Sequence, residues 1–328
     1  MKILVVGYGS IGKRHINNLS SVPGIEILIC TNRKNNRFLK QKGRLVFNSI
    51  TDAINAKPDA ALITNVTRLH VQTAIKLANA KIDLFIEKPL SDSLRDVVKL
   101  MRIIRKHNII TFMGCNLRFH PCIKMIRKII HEKEIGRIIS VRVENGSFLP
   151  CWHPHGDYRK SYAAREDMGG GALLTCIHEI DYLYWFFGKP IEIFSFTGKF
   201  SDLAISADDL SSILLKFKTN IVAEIHLDYF QRPSIRSCKI IGTKGTIYWD
   251  TDSDTVKMYD VKKRRWIIKL RQKNYDYNLT YLEEMNHFLN SIKRKKKPIN
   301  DIRQGMDVLQ IALAAKKASK IKKVVQFI

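Results

Sequence analysis

The chain has 328 residues, 45% of them hydrophobic, and a formal net charge of +26. That length suggests about two domains with an ordinary core, and no apolar run approaches the roughly 20 residues of a membrane-spanning helix. The basic excess is spread along the chain, and its densest run, residues 293–297, follows an apparent helix, where cations suit the negative helix end. Neither a membrane nor a specific nucleic acid is therefore an expected partner, although an anionic substrate is. Six scattered cysteines (Cys30, Cys115, Cys122, Cys151, Cys176 and Cys238) include no C-x-x-C, so no metal site is expected. The apolar start runs straight into a glycine turn without a small-residue cleavage site, and the expected compartment is the cytoplasm.

In chain order, residues 1–6 read as a strand. Gly7-Tyr8-Gly9-Ser10-Ile11-Gly12 follows, then a helix over 13–19. Strand, G-x-G-x-x-G and helix together form the opening of a dinucleotide-binding fold. The helix N-terminus offers free N–H groups to a pyrophosphate. Residues 25–30 read as a second strand. Where an NAD enzyme usually closes this strand with a carboxylate, Thr31-Asn32-Arg33 stands here. A small polar pair followed by Arg suits a 2′-phosphate, so the expected cofactor is NAD(P), with NADP favoured.

Strands at 45–47, 59–63, 82–86 and 109–113 alternate with helices at 49–56 and 68–80 and with one capped by Ser91. That last helix is expected to carry Leu94, Val97, Val98, Met101 and Ile104 on one face. This alternation predicts a doubly wound parallel sheet. The pattern then changes. A helix at 123–131 and a strand at 138–144 lead to an irregular, aromatic and basic segment. A helix is expected over 172–187. Seven runs with period-two alternation between 191 and 270 predict a mostly antiparallel sheet. Helices at 277–293 and 302–319 and a short strand at 324–328 end the chain. The expected division is a Rossmann domain over 1–118 and an α+β domain over 119–328.

Two constellations carry chemistry. Glu87-Lys88-Pro89 leaves a fully apolar strand beside the cofactor cleft, where a lysine can hydrogen-bond a substrate hydroxyl and stabilise a developing alkoxide. Three glycines, Gly169 to Gly171, lead into the helix with Thr175, His178 and Asp181 at three-residue intervals on one face. His178 suits a general base, since its ordinary pKa lies near neutrality.

Gly7-x-Gly9-x-x-Gly12, Glu87-Lys88-Pro89, Asn116-x-Arg118-Phe119 and the Gly169-Gly170-Gly171…His178-x-x-Asp181 segment together resemble the glucose-fructose oxidoreductase and inositol dehydrogenase family (Gfo/Idh/MocA), over nearly the whole chain. The resemblance implies a Rossmann domain followed by a mostly antiparallel sheet that makes dimer or tetramer contacts. It implies hydride transfer between nicotinamide and a secondary alcohol or ketone of a sugar, cyclitol or nucleotide sugar. Lys88 and His178 would be the catalytic pair. Asn65, His70, Glu87, Lys88 and Asn116 would join the glycine turn, Thr31, Asn32 and Arg33 around the cofactor. Thr175 stands where many members carry Asp, so Asp181 is the candidate partner for His178. Tyr158, Arg159, Tyr162 and Arg165 precede the glycines as a substrate loop would; with Lys88, Thr175, His178 and Asp181 they are the expected substrate contacts. A redox-neutral, NAD-dependent glycoside-cleaving enzyme and a non-catalytic dinucleotide-binding regulator remain the alternatives.

Overall fold

The computed structural model describes residues 1–32, 44–152 and 156–327. The chain forms two compact units. The first joins Met1–Asn116 to Asn278–Leu309, and the second joins Leu117–Tyr277 to Gln310–Ile328.

The first unit is built on six parallel strands: β1 (Lys2–Val6), β2 (Glu26–Cys30), β3 (Leu45–Phe47), β4 (Ala60–Ile63), β5 (Asp83–Glu87) and β6 (Thr111–Gly114). Their spatial order is β3-β2-β1-β4-β5-β6, the doubly wound order of a dinucleotide-binding sheet. Ile3, Leu4, Val5 and all four residues of β4 are fully buried. Their apolar runs show no alternation because a parallel sheet is covered on both faces. The helices are α1 (Ser10–Ser20), α2 (Ile50–Asn55), α3 (His70–Asn79) and α4 (Val97–His107). The expected Ser91 cap does not form: residues 91–96 make turns, Asp96 in the left-handed region precedes α4, and Leu94 and Val98 are exposed. Only Val97 and Leu100 of α4 are buried.

The second unit holds nine strands: β7 (Ile138–Gly146), β8 (Pro190–Gly198), β9 (Leu210–Phe217), β10 (Val222–Asp228), β11 (Ile235–Gly242), β12 (Gly245–Asp250), β13 (Thr255–Asp260), β14 (Arg265–Arg271) and β15 (Val325–Gln326). They lie in the order β14-β13-β12-β11-β7-β10-β9-β8-β15. Among the described residues every neighbouring pair is antiparallel except β7 with β10. Helix α5 (Pro121–His131) lies on β13 and β14, α6 (Ala172–Thr175) on β9 and β10, and α7 (His178–Phe187) on β7. The single helix expected over 172–187 is therefore two. The chain breaks at Cys176 and Ile177, where Cys176 leaves helical geometry with ψ of 31°.

Two further helices, α8 (Asn278–Arg294) and α9 (Ile302–Ile321), follow the sheet. The division expected at residue 118 puts both in the second domain. Instead α8 and the start of α9 pack with the parallel sheet: Phe288 of α8 meets Phe85 and Phe112 at ring-centroid distances of 5.6 and 6.0 Å. The rest of α9 belongs to the second unit, where the Ser195 hydroxyl donates to the Ala315 carbonyl at 2.6 Å. No helix among the described residues is long and apolar enough to cross a membrane.

Candidate functional site

In the first unit the glycine turn sits at the end of β1, next to β4, where the strand order reverses. Gly7 has φ of +109°, and a Cβ on it would lie 2.7 Å from the Asn65 nitrogen. Only glycine fits both demands. A Cβ on Gly12 would run into the Gly7 carbonyl and lie 2.8 Å from the Thr64 hydroxyl, so α1 packs directly on the strand ends. Gly9 has nothing within 4 Å of its Cβ direction and is the uncapped N-cap of α1, an eleven-residue helix. Asn65 donates to the Thr73 hydroxyl at 3.0 Å, while its buried Oδ1 has no hydrogen-bond partner among the described residues. An open glycine, an uncapped helix N-terminus and an orphaned buried acceptor fit a nicotinamide dinucleotide.

Of the other expected cofactor contacts, Tyr8 and Ile11 are half-buried on the glycine turn and Ser10 is exposed. Thr31 is buried behind β2, with its N–H on the Phe47 carbonyl, and Asn32 is exposed. Arg33 lies outside the described residues. Asn116 is buried and donates to the Thr280 hydroxyl at 2.8 Å. His70 sits between two strand-end loops. It is 1% exposed, and its Nδ1 and Nε2 lie 2.8 and 3.0 Å from the carbonyls of Pro89 and Asn65. Burial holds its pKa below the ordinary histidine value against the pull of those carbonyls. With both nitrogens on backbone, His70 ties the loop after β4 to the loop after β5.

Glu87 ends β5 and is buried; Lys88 is half-buried, and the Lys88–Pro89 peptide is cis. Glu87 Oε1 meets His15 Nε2 at 2.6 Å, and Oε2 accepts the Lys88 N–H at 3.2 Å. His15 on α1 was not among the sequence candidates. Its signal is a histidine on the sheet-facing side of α1, one turn past Gly12, and it is fully buried.

In the second unit Gly171, with φ of +111°, carries the chain into α6 past Asp208. Asp208 accepts the Leu173 N–H at 2.9 Å through its carboxylate and the Ala172 N–H at 2.8 Å through its carbonyl. Burial pushes its carboxyl up. His178 opens α7 and is 6% exposed. Thr175 ends α6, so it does not share a continuous helix face with His178.

Asp181 faces Arg118. Arg118 donates to both its oxygens, from Nε at 2.8 Å and Nη2 at 2.7 Å, and the two side chains are 0% and 3% exposed. Through this pair Asp181 ties α7 to the Arg118 guanidinium. Glu179 makes a second buried anchor, with Arg236 Nε at 2.8 Å and Asn145 Nδ2 at 3.3 Å. His178 is thus followed, within one turn of its own helix, by two ion-paired residues.

Of the expected substrate loop, residues 153–155 lie outside the described residues. Tyr158 accepts the Ala204 N–H at 3.3 Å, and Tyr162 is 37% exposed. Arg159 forks onto Asp157 and Arg165 onto Asp167, each pair two residues apart and exposed. Such pairs add little stability, but they place a carboxylate on each guanidinium.

Residues 1–115 match the family described as an oxidoreductase family with an NAD-binding Rossmann fold, and residues 123–248 match the GFO/IDH/MocA C-terminal domain. Myo-inositol 2-dehydrogenase of Thermotoga maritima is 26% identical, covering 99% of this chain and 98% of the relative. Two solved structures share the fold. Myo-inositol 2-dehydrogenase from Lactobacillus plantarum has a TM-score of 0.85 at 22% identity, covering 100% of this chain and 99% of that one. The WlbA dehydrogenase from Bordetella pertussis, in complex with NADH and UDP-GlcNAcA, has a TM-score of 0.84 at 20% identity with the same coverage. With both of its domain profiles matched in order along one chain, the protein belongs to the Gfo/Idh/MocA family of NAD-binding oxidoreductases.

Proposed function

We propose that the protein is an NAD(P)-dependent dehydrogenase acting on a secondary alcohol or ketone of a sugar or cyclitol. The observation that carries this reading is the Glu87–Lys88–Pro89 turn, which leaves β5 at the carboxyl edge of the same sheet whose glycine turn fits a dinucleotide. When bound, the nicotinamide supplies the hydride acceptor or donor. Lys88 donates a hydrogen bond to the substrate oxygen and stabilises it as charge develops. His178 accepts the hydroxyl proton during oxidation and returns it during reduction. Its anchored helix supports that role, since a general base must be held in place.

Thr31-Asn32-Arg33 at the end of β2, with no carboxylate, supports NADP over NAD. The Arg159–Asp157 and Arg165–Asp167 pairs weaken the case for an anionic substrate. A neutral polyol suits the loop better, in keeping with the inositol-dehydrogenase relative. The sheet of the second unit exposes Phe196, Leu214, Val222 and Ile268, which supports a homodimer or homotetramer built on that face.

The test is NAD(P)H formation with a panel of cyclitols, neutral sugars and nucleotide sugars. Lys88→Met should lower kcat about 100- to 1000-fold while cofactor affinity, read by fluorescence, persists. Full turnover by that variant would sink the reading. Tight retention of cofactor without net NADH, together with glycoside cleavage, would favour the redox-neutral alternative.

A further inference from the structure

Behind Lys88 lies a buried cluster that the proposed mechanism leaves unused. One side-chain nitrogen or oxygen from each of His15, Glu87 and Glu284 lies within 4.8 Å of the others. Glu284 sits on α8, is fully buried, and neither of its carboxyl oxygens has a donor among the described residues. A carboxyl desolvated in this way carries a heavy cost that Gln or Leu in the same space would avoid. We infer that Glu284 is a positioning residue: its carboxyl shares one proton with Glu87, so that the pair presents a single negative charge to Lys88. This inference rests on the role proposed for Lys88.

The geometry selects a proton over a metal ion. His15 Nε2 and Glu87 Oε1 are 2.6 Å apart. Two ligands of one tetrahedral zinc stand about 3.3 Å apart, given bonds of roughly 2.0–2.1 Å. A hydrogen bond therefore already fills the space between those two atoms. Two carboxyls at close range in a dry site do not both ionise; one keeps a proton. Glu87 is the partner already supplied with contacts: the Lys88 N–H donates to its Oε2 at 3.2 Å, and His15 Nε2 lies 2.6 Å from its Oε1. Glu284 is the protonated one: burial and the Glu87 charge push its carboxyl well above the ordinary carboxylate range, and the Lys88 charge opposes them only in part. The other titratable groups facing the cluster are Tyr281, held above its ordinary value by burial and Glu87, and Arg14, whose guanidinium stacks 4.5 Å from the Tyr281 ring. With its proton, Glu284 can donate to the Glu87 carboxylate and keep it charged beside Lys88.

Three measurements test this, none of which uses turnover. The infrared difference between the wild-type protein and Glu284→Gln at pH 7 should contain the carbonyl stretch of a protonated carboxyl; its absence overturns the proposal. The pH dependence of Lys88 acetylation by acetic anhydride, read by mass spectrometry, gives the lysine's apparent pKa. Glu284→Leu removes the donor and should lower that pKa by about one unit, whereas Glu284→Gln, which can still donate, should leave it in place. An unchanged Lys88 in Glu284→Leu, or an equal shift in both variants, overturns the positioning role. Should Glu284→Leu fail to fold, thermal stability against pH decides. A carboxyl whose folded pKa is raised contributes stability that is fully present below the ordinary carboxylate range and lost as pH rises toward the folded value. Glu284→Gln should therefore gain on the wild type as pH rises above the ordinary carboxylate range; a constant difference refutes the shared proton. If no polyol yields NAD(P)H, the function falls while these three results stand, so the two failures are distinguishable.

Discussion

Asp181→Asn separates an anchoring role from a substrate-binding one. The substitution keeps the side-chain shape and removes the charge, leaving the Arg118 guanidinium at 0% exposure without its counter-ion. Breaking a buried pair in this way costs about 3–5 kcal/mol. At roughly 2–4 °C per kcal/mol for a domain of this size, the melting temperature should fall by about 6–20 °C. The assay is thermal unfolding followed by tryptophan fluorescence. All 4 tryptophans (Trp152, Trp185, Trp249 and Trp266) lie in the second unit, so the signal reports the unit that holds the pair. Trp185 itself lies 5.6 Å from the Arg118 guanidinium. The double variant Arg118→Met/Asp181→Leu should recover most of the loss, because two apolar side chains leave no buried charge. A melting temperature within about 2 °C of wild type, together with a raised KM, would refute the anchoring role and return Asp181 to the substrate.

Two other perturbations probe the cofactor turn and the open sheet. Gly12→Val drives a branched side chain into the Gly7 carbonyl and Thr64, and should weaken NAD(P)H binding at least tenfold in a fluorescence titration; unchanged affinity would mean that the dinucleotide does not use this turn. Leu214→Glu with Val222→Lys places charges on the exposed face of β9 and β10, and should shift light-scattering mass to that of a single chain; an unaltered oligomer would move the interface elsewhere.

The parts of this protein written in short stretches were legible from sequence. The glycine turn and the Glu87–Lys88–Pro89 turn each occupy a few consecutive residues, and unbroken apolar runs gave the parallel strands because both sheet faces are buried. Period-two alternation gave the second sheet for the opposite reason. The break between α6 and α7 was not legible, since Cys176 and Ile177 carry no glycine or proline to mark it. The start of α4 was missed because Ser91 matches the chemistry of a cap, yet the chain turns until Asp96. Asp181 and Arg118 are 63 residues apart, and nothing local says that they meet. Glu284 left a fainter trace: it sits on the same helical stripe as buried Phe288, one turn on, where an acid is out of place. Reading that anomaly would have flagged the residue, though not its partners.

The return of α8 to the first unit also has a consequence for the order of synthesis. About 160 residues separate Asn116 from Asn278. At roughly 5–20 residues per second a ribosome needs about 10–30 s to make them. Throughout that interval the nascent parallel sheet has Phe85 and Phe112 without Phe288, and Glu87 without Glu284. The nucleotide-binding unit begins first and is completed only after strands β7 to β14 have been made, so its maturation is timed by the long segment inserted within it.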